Sequence, residues 1–305
     1  MSARRRYPPI PRVHARDRED ASAARSFLAR GRPVVIRTTD AEQRRAWEPE
    51  ALRTAFGGHE VDAEETNEVY VGTRPQHRLS LEHLLDRVLA GDRTLRWKGL
   101  DLLAALPGMH ARVAAHPPSS DAFLPPRTES TRRALWLAPP GTMSSLHHDG
   151  NSDNFNWQVH GKKLFLLVPP SRKDCLYAYG SAESPINPFR PELARFPRFG
   201  HADPVEATLE PGDVLLIPKY WWHCVYSIEP SINLNTWFTF RGELSPWRAL
   251  AGAPLLYRSA SSVAAELKRR RLHGVARATR RLWYAAYARV TERPAPEPRG
   301  ELIDP

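Results

Sequence analysis

The chain has 305 residues, 41% of them hydrophobic and 26% charged, a globular composition with room for one large domain plus an appendage. It contains no run of about 18 apolar residues, so no membrane span is expected, and its start, "MSARRRYPPIPR", lacks the apolar stretch of a secretory signal. Only two cysteines occur, Cys175 and Cys224, without CxxC spacing, which argues against a disulfide framework or thiolate zinc site and points to a reducing cytoplasm.

The net charge of +10 sits on the ends. Residues 1–20 carry six Arg against three acids, and residues 246–305 carry twelve Lys and Arg against five acids, so the middle is balanced. Basic ends can attract nucleic acid or an acidic protein. An arginine-rich solvated helix face accounts for them more simply, so nucleic acid is not the favoured partner.

Residues 1–20 read as a flexible basic N-terminus. "ASAARSFLARG" (21–31) reads as a helix stopped by Gly31, and "PVVIR" (33–37) as a buried strand. "EPEALRTAFGG" (48–58) reads as a helix ending at paired glycines, and 59–72 as strand-like ends around a polar turn. "SLEHLLDRVLAG" (80–91) predicts an amphipathic helix: Ser80 caps it, Leu81, Leu84, Leu85, Val88 and Leu89 share a face, and Gly91 ends it. Residues 100–130 predict short helical pieces at most.

From 134 the texture changes. "ALWLAPPGTMSSLHHD", "FNWQVHGKKLFLLVPP", "VEATLEPGDVLLIPKYWWHCVYSI" and "INLNTWFTF" are short β-rich runs between Gly/Pro turns, the pattern of a jelly roll or antiparallel barrel. Residues 171–204 read as a long Pro-containing insertion that covers or carries a site. Past Pro246 the pattern is helical, with Trp283 and Tyr287 forming an aromatic stripe suited to packing or a dimer face. The tail 293–305 reads as disordered.

The chemistry concentrates in "SLHHDGNSDN" (145–154). Strand side chains alternate faces, so His147 and Asp149 point one way and His148 the other. An H-x-D pair offers one imidazole and one carboxylate to a common point. His223, after "EPGDVLLIP" and at the end of a second strand, is the natural third ligand. Two histidines and one carboxylate on one side of a metal suit non-haem Fe(II), because they leave positions open. Structural zinc would want a closed set richer in cysteine.

These motifs, with "SPINP", "FPRF" and "GRPVVIR", resemble the cupin-like JmjC oxygenases, and within them the branch of the asparaginyl hydroxylase that inhibits hypoxia-inducible factor with its bacterial relatives. The resemblance is dense over 134–240, thinner over 21–133, and beyond 241 reaches only to the general idea of C-terminal helices. It implies a mainly β fold, a double-stranded β-helix with N-terminal α/β elements and a C-terminal helical segment. The implied layout is a catalytic domain over 21–245 and helices over 246–292 that could form a homodimer. It further implies Fe(II) and 2-oxoglutarate, with His147, Asp149 and His223 as iron ligands. Lys163 would pair with the distal carboxylate of 2-oxoglutarate, since a buried dianion needs a cation. Lys162 would face the other way. Ser144, Asn154 (or Asp153), Asn235 and Trp97 would stand near the cosubstrate, Trp97 in place of a family tyrosine, and Trp237 would form a cavity wall. The implied activity is hydroxylation of a protein or peptide side chain or of an amino-acid-like metabolite. Action on RNA and a non-catalytic metal-binding cupin stay open.

Overall fold

The computed structural model describes residues 6–15, 21–66, 75–124, 128–178 and 182–240. The readings for 246–292 and 293–305, including the dimer stripe, lie outside the described residues.

The first third alternates short strands and helices. β1 (Arg12–Ala15), α1 (Ala21–Ala29), β2 (Val34–Thr38), α2 (Ala41–Arg45), α3 (Pro49–Phe56), β3 (Glu60–Glu65), β4 (Gln76–Ser80), α4 (Leu81–Leu89), β5 (Leu95–Gly99), α5 (Leu102–Ala105) and α6 (Met109–Ala115) follow in order. α4 forms as its sequence dictates. The Ser80 hydroxyl accepts a hydrogen bond from the His83 N–H at 3.2 Å, and Leu81, Leu84, Leu85 and Val88 are all buried.

The remainder is β-rich: β6 (Thr128–Ala138), β7 (Leu146–His147), β8 (Asp153–His160), β9 (Lys163–Val168), β10 (Glu183–Ser184), β11 (Val205–Leu209), β12 (Asp213–Ile217), β13 (Trp222–Ser227) and β14 (Ser231–Phe240). Two sheets result. The major one runs β1-β2-β12-β8-β14-β6-β5-β3-β4, and the minor one β10-β7-β13-β9-β11. This is the expected double-stranded β-helix, built almost wholly from antiparallel pairs.

Residues 12–15, read from sequence as part of a flexible N-terminus, instead pair in parallel with β2 as an edge strand. The cause is Asp213, fully buried, whose carboxylate is held by Arg12 at 3.0 Å and Arg37 at 2.8 Å. Removing either cation leaves a buried charge undercompensated, so the edge strand is fastened by more than backbone pairing.

The two faces of the major sheet differ in chemistry. Phe155, Trp157 and Val159 of β8 and Ile232, Leu234 and Phe238 of β14 pack with α1, α3, α4 and α6 in the main apolar core. The alternate residues, Asn154, Asn156, Gln158, Asn233 and Asn235, face the minor sheet and are just as buried. A strand with one polar face normally shows it to water. Here the amide face is closed in, so the interior between the sheets is built for something polar.

The insertion is not structureless. Leu176, Ile186, Phe189, Phe196 and Phe199 cover Leu146, Leu164, Leu166 and Trp222 on the outer side of the minor sheet, and the segment contributes β10.

Candidate metal centre

His147 closes β7 directly opposite His223 of β13, the two being register partners with ring centroids 4.3 Å apart. Asp149 follows at the end of the strand. One ligand atom from each of the three lies within 4.8 Å of the others, and they form a group able to hold a metal among the described residues. The Nε2 atoms of His147 and His223 stand 4.0 Å and 3.6 Å from the Asp149 carboxylate.

The backbone selects the tautomers. His147 Nδ1–H donates to the Ser145 carbonyl at 2.8 Å and His223 Nδ1–H to the Trp221 carbonyl at 3.2 Å, leaving both Nε2 lone pairs aimed at the shared point. Burial, with the neighbouring His147, pushes His223 well below the ordinary histidine value, so it is a neutral imidazole. Burial also raises the Asp149 carboxyl, but the attraction of His223 and His147, the Asn154 amide and the Trp237 indole outweigh that and hold it below the usual range. A neutral imidazole at His223 and an ionised carboxylate at Asp149 are protonation states that suit a divalent cation.

His148 faces away, as alternation requires. It is buried against Trp222 at 4.7 Å and Tyr220 at 6.0 Å, accepts from the Gly150 N–H at 2.9 Å, and is driven by burial, then by His147, to about 4. It is a wall. Tyr220 adopts φ +65° so that its N–H reaches the Gly150 carbonyl at 3.1 Å and its hydroxyl Asn151 at 3.3 Å, bracing the loop that carries Asp149.

The other residues singled out in the sequence fall into two groups. Asn154 is at the centre: its Nδ2 donates to Asp149 at 2.9 Å, while its Oδ1 is buried without a partner. Asp153, the alternative, accepts from the Lys219 N–H at 3.1 Å instead. Lys163 begins β9 facing inward and donates to Asn233 Oδ1; Asn233 Nδ2 in turn donates to Asn235 Oδ1 at 2.6 Å. Burial, with the positive charge of Arg96, brings Lys163 down to about 7. Lys162 turns outward to Glu229 at 3.4 Å.

Two residues do not stand where the family resemblance puts them. The Ser144 hydroxyl accepts from the Val225 N–H at 2.9 Å and donates to the Ser145 carbonyl at 3.1 Å, so it clamps the approach to β7 onto β13. Trp97 packs with Leu135, Leu137 and the helices on the far side of the major sheet. The alternation of β5 turns Arg96, buried, toward the interior in its place. Asn156, Gln158, Asn233 and Arg96 are polar interior residues that the sequence motifs did not single out. The period-two spacing of Asn233 with Asn235, and the polar positions flanking Trp97 in "LRWKG", were the available signals.

The interior is incomplete as a hydrogen-bonded unit. Asn154 Oδ1, Asn156 Nδ2, Gln158 Oε1 and Trp136 Nε1 are buried without a hydrogen bond. Such orphans cost about 1–3 kcal/mol each unless an occupant satisfies them. The Lys163 ammonium donates to an amide oxygen, that of Asn233. The donors among these orphans, Asn156 Nδ2 and Trp136 Nε1, together with the Lys163 ammonium, suit a ligand with metal-chelating oxygen atoms at one end and an anion at the other.

Geometry and fold together define a metal-binding cupin-type β-helix. Residues 20–242 match the model of the cupin-like domain, and the chain belongs to that family, as a JmjC-type member. It is 39% identical over 119 residues to human HSPB1-associated protein 1, covering 37% of this chain and 24% of that protein. It is 29% identical over 247 residues to zebrafish (Danio rerio) lysine-specific demethylase 8, covering 75% of this chain and 58% of that one. It is 33% identical over 114 residues to Arabidopsis thaliana lysine-specific demethylase JMJ30, covering 36% and 26%. The chain thus spans from about a quarter to under two thirds of the length of these relatives. The family is one of Fe(II)- and 2-oxoglutarate-using oxygenases, and the residues present fit both groups. No described helix is long and apolar enough to cross a membrane.

Proposed function

We propose that this chain is an Fe(II)- and 2-oxoglutarate-dependent hydroxylase acting on a protein or peptide side chain or an amino-acid-like metabolite. The supporting observation is the three-residue metal group with both Nε2 atoms presented, on the same enclosed side of the sheets as the buried Lys163. When bound, iron and cosubstrate together supply the oxidising power to break a substrate C–H bond, chemistry that no side chain provides.

The protein's part is placement. His147, Asp149 and His223 would hold the metal, a two-histidine, one-carboxylate set of the kind that leaves positions for cosubstrate and dioxygen. Lys163 neutralises the distal carboxylate, and Asn233 and Asn235 fix the ammonium's direction. Asn154 holds one oxygen of Asp149 and so would fix the carboxylate's orientation toward a bound metal. Trp237, with the Arg132 guanidinium 4.3 Å above its ring, closes the wall beside Asp149.

Two relatives are named lysine-specific demethylases, which supports a second reading. Oxidation of an N-methyl C–H uses the same machinery, and only the substrate differs.

The test is anaerobic titration with Fe(II) and 2-oxoglutarate, followed by succinate release against peptides bearing unmodified and N-methylated side chains. A visible charge-transfer band that needs both components and vanishes in His147→Ala and Asp149→Ala is expected. Folded protein that shows no band would overturn the oxygenase reading and leave a non-catalytic cupin.

A further inference from the structure

β6, β14 and β8 lie side by side, and their inward-facing residues form rows across the three strands. At the metal end the row is Arg132, Trp237 and Asn154. Asn154 Nδ2 donates to the Asp149 carboxylate at 2.9 Å, and the Arg132 guanidinium carbon stands 4.3 Å from the centroid of the Trp237 ring. Arg132 is therefore the third side chain in line from a metal ligand. Two rows further in stand Trp136, Asn233 and Gln158, where Lys163 donates to Asn233.

Arg132 and Arg133 are adjacent in the chain and are held differently. Arg133 meets Asp121 at 2.7 Å on the other face of the strand. Arg132 is exposed, and among the described residues no carboxylate stands within ion-pair distance of it. Its hold is the ring of Trp237, itself 6% exposed. A lysine in this place would cover the indole with its methylenes and carry a mobile point charge. A guanidinium over a ring face is fixed in direction and keeps its N–H donors at its edges, and one edge matches the two oxygens of a carboxylate.

The cosubstrate does not supply that anion. Of the two carboxylates of 2-oxoglutarate, one is assigned to Lys163 and the other, beside the oxo group, to the metal. Asn233 and Trp237 are four residues apart on β14, roughly 13 Å, so the two cations are too distant to share one carboxylate. The partner of Arg132 belongs to a second molecule.

We propose that Arg132 is a specificity residue for the substrate and selects substrates that carry a carboxylate close to the carbon to be oxidised. This rests on the oxygenase reading above, which places the reaction at the metal end of the interior. The shared chemistry is the carboxylate; its source is an acidic side chain of a peptide or the terminus of an amino-acid-like molecule.

The experiment measures retention of paired probes on the immobilised full chain loaded with Mn(II) and 2-oxoglutarate, without turnover. One pair is a capped peptide library with random flanks, with Asp or Glu at the centre against Asn or Gln. The other is N-acetylleucine against N-acetylleucinamide. The parent is expected to favour the carboxylate member of at least one pair, and the pair that responds identifies the source. In Arg132→Gln that preference is expected to fall about tenfold or more, the size of one lost charge-assisted contact. The basic ends of the chain retain anions in both proteins alike, so the difference between the two is what counts. An equal preference in the parent and in folded Arg132→Gln overturns the proposal. Should that variant not fold, Arg132→Met, which keeps an apolar stem over the indole, is read in the same way. A parent that fails in calorimetry to load Mn(II) and 2-oxoglutarate defeats the oxygenase reading and this proposal with it, a result distinct from an unchanged preference.

Discussion

Arg96 and Trp97 are neighbours in the chain and face opposite sides of the major sheet: the guanidinium meets Glu64 toward the interior, and the indole lies among Leu135, Leu137 and the helices. Their loss should therefore be felt in different measurements. Trp97→Ala opens a cavity in the main core and should cost about 3–5 kcal/mol in denaturant unfolding, while the affinity of the folded fraction for 2-oxoglutarate stays unchanged. A selective loss of cosubstrate affinity with full stability would place Trp97 at the pocket after all.

Lys163 links cosubstrate binding to pH. Burial, and then the positive charge of Arg96, bring it from an ordinary value of 10.5 to about 7. Below about 7 the ammonium is ready for a carboxylate; above it the amine must first take up a proton. Affinity for 2-oxoglutarate should fall up to about tenfold per pH unit as pH rises past about 7. The ligand-free protein should respond in the opposite sense. Between about 7 and 10.5 the unfolded chain holds this proton and the folded chain does not, so stability rises with pH by up to about 1.4 kcal/mol per unit. Lys163→Met should flatten both slopes in calorimetry and thermal melts from about pH 6 to about pH 9.

Metal affinity divides the centre by role. Replacing His147, Asp149 or His223 by Ala should abolish stoichiometric Mn(II) or Fe(II) binding, because each supplies a ligand atom to one point. Asn154→Ala should weaken it by about 10- to 100-fold, since it only orients Asp149. Equal losses for Asn154 and the three ligands, measured by metal titration, would contradict that division.

Gly161 turns the chain between β8 and β9 at φ +67°, and a Cβ there would lie 1.9 Å from the Pro230 carbonyl oxygen. Gly161→Ala should destabilise by at least about 2 kcal/mol in urea unfolding, through both backbone strain and displacement of the β13–β14 turn. Because Lys163 starts two residues later, its cosubstrate affinity should fall with it.

The sequence revealed most where its signal was local. The alternation in "LHHD" separated His147 and Asp149 from His148, and the cap and apolar stripe of 80–91 located α4 to within two residues. It was weaker where meaning depends on which side of a sheet is enclosed. "NFNWQV" and "INLNTW" show period two plainly, yet nothing local says that the amide side is sealed and the aromatic side also covered. The mistaken weight on Trp97 has this origin: size and aromaticity suggested a pocket wall, while its face was fixed by pairing with Leu137 across β6. The anchoring of residues 12–15 by Asp213 depends on a contact about two hundred positions away and has no sequence-local signature.

His147 sits on a strand of two residues, flanked by β13 on one side and on the other by β10, where Glu183 is its register partner; the His148 N–H also donates to the Ala182 carbonyl at 3.1 Å. The segment that drapes over the minor sheet is thus also a splint for a metal ligand. A lineage that remodels this drape to admit a different target would disturb iron retention in the same stroke. Diversification of this protein should therefore proceed by exchanging side chains on a preserved drape, with insertions and deletions confined to stretches away from 182–184.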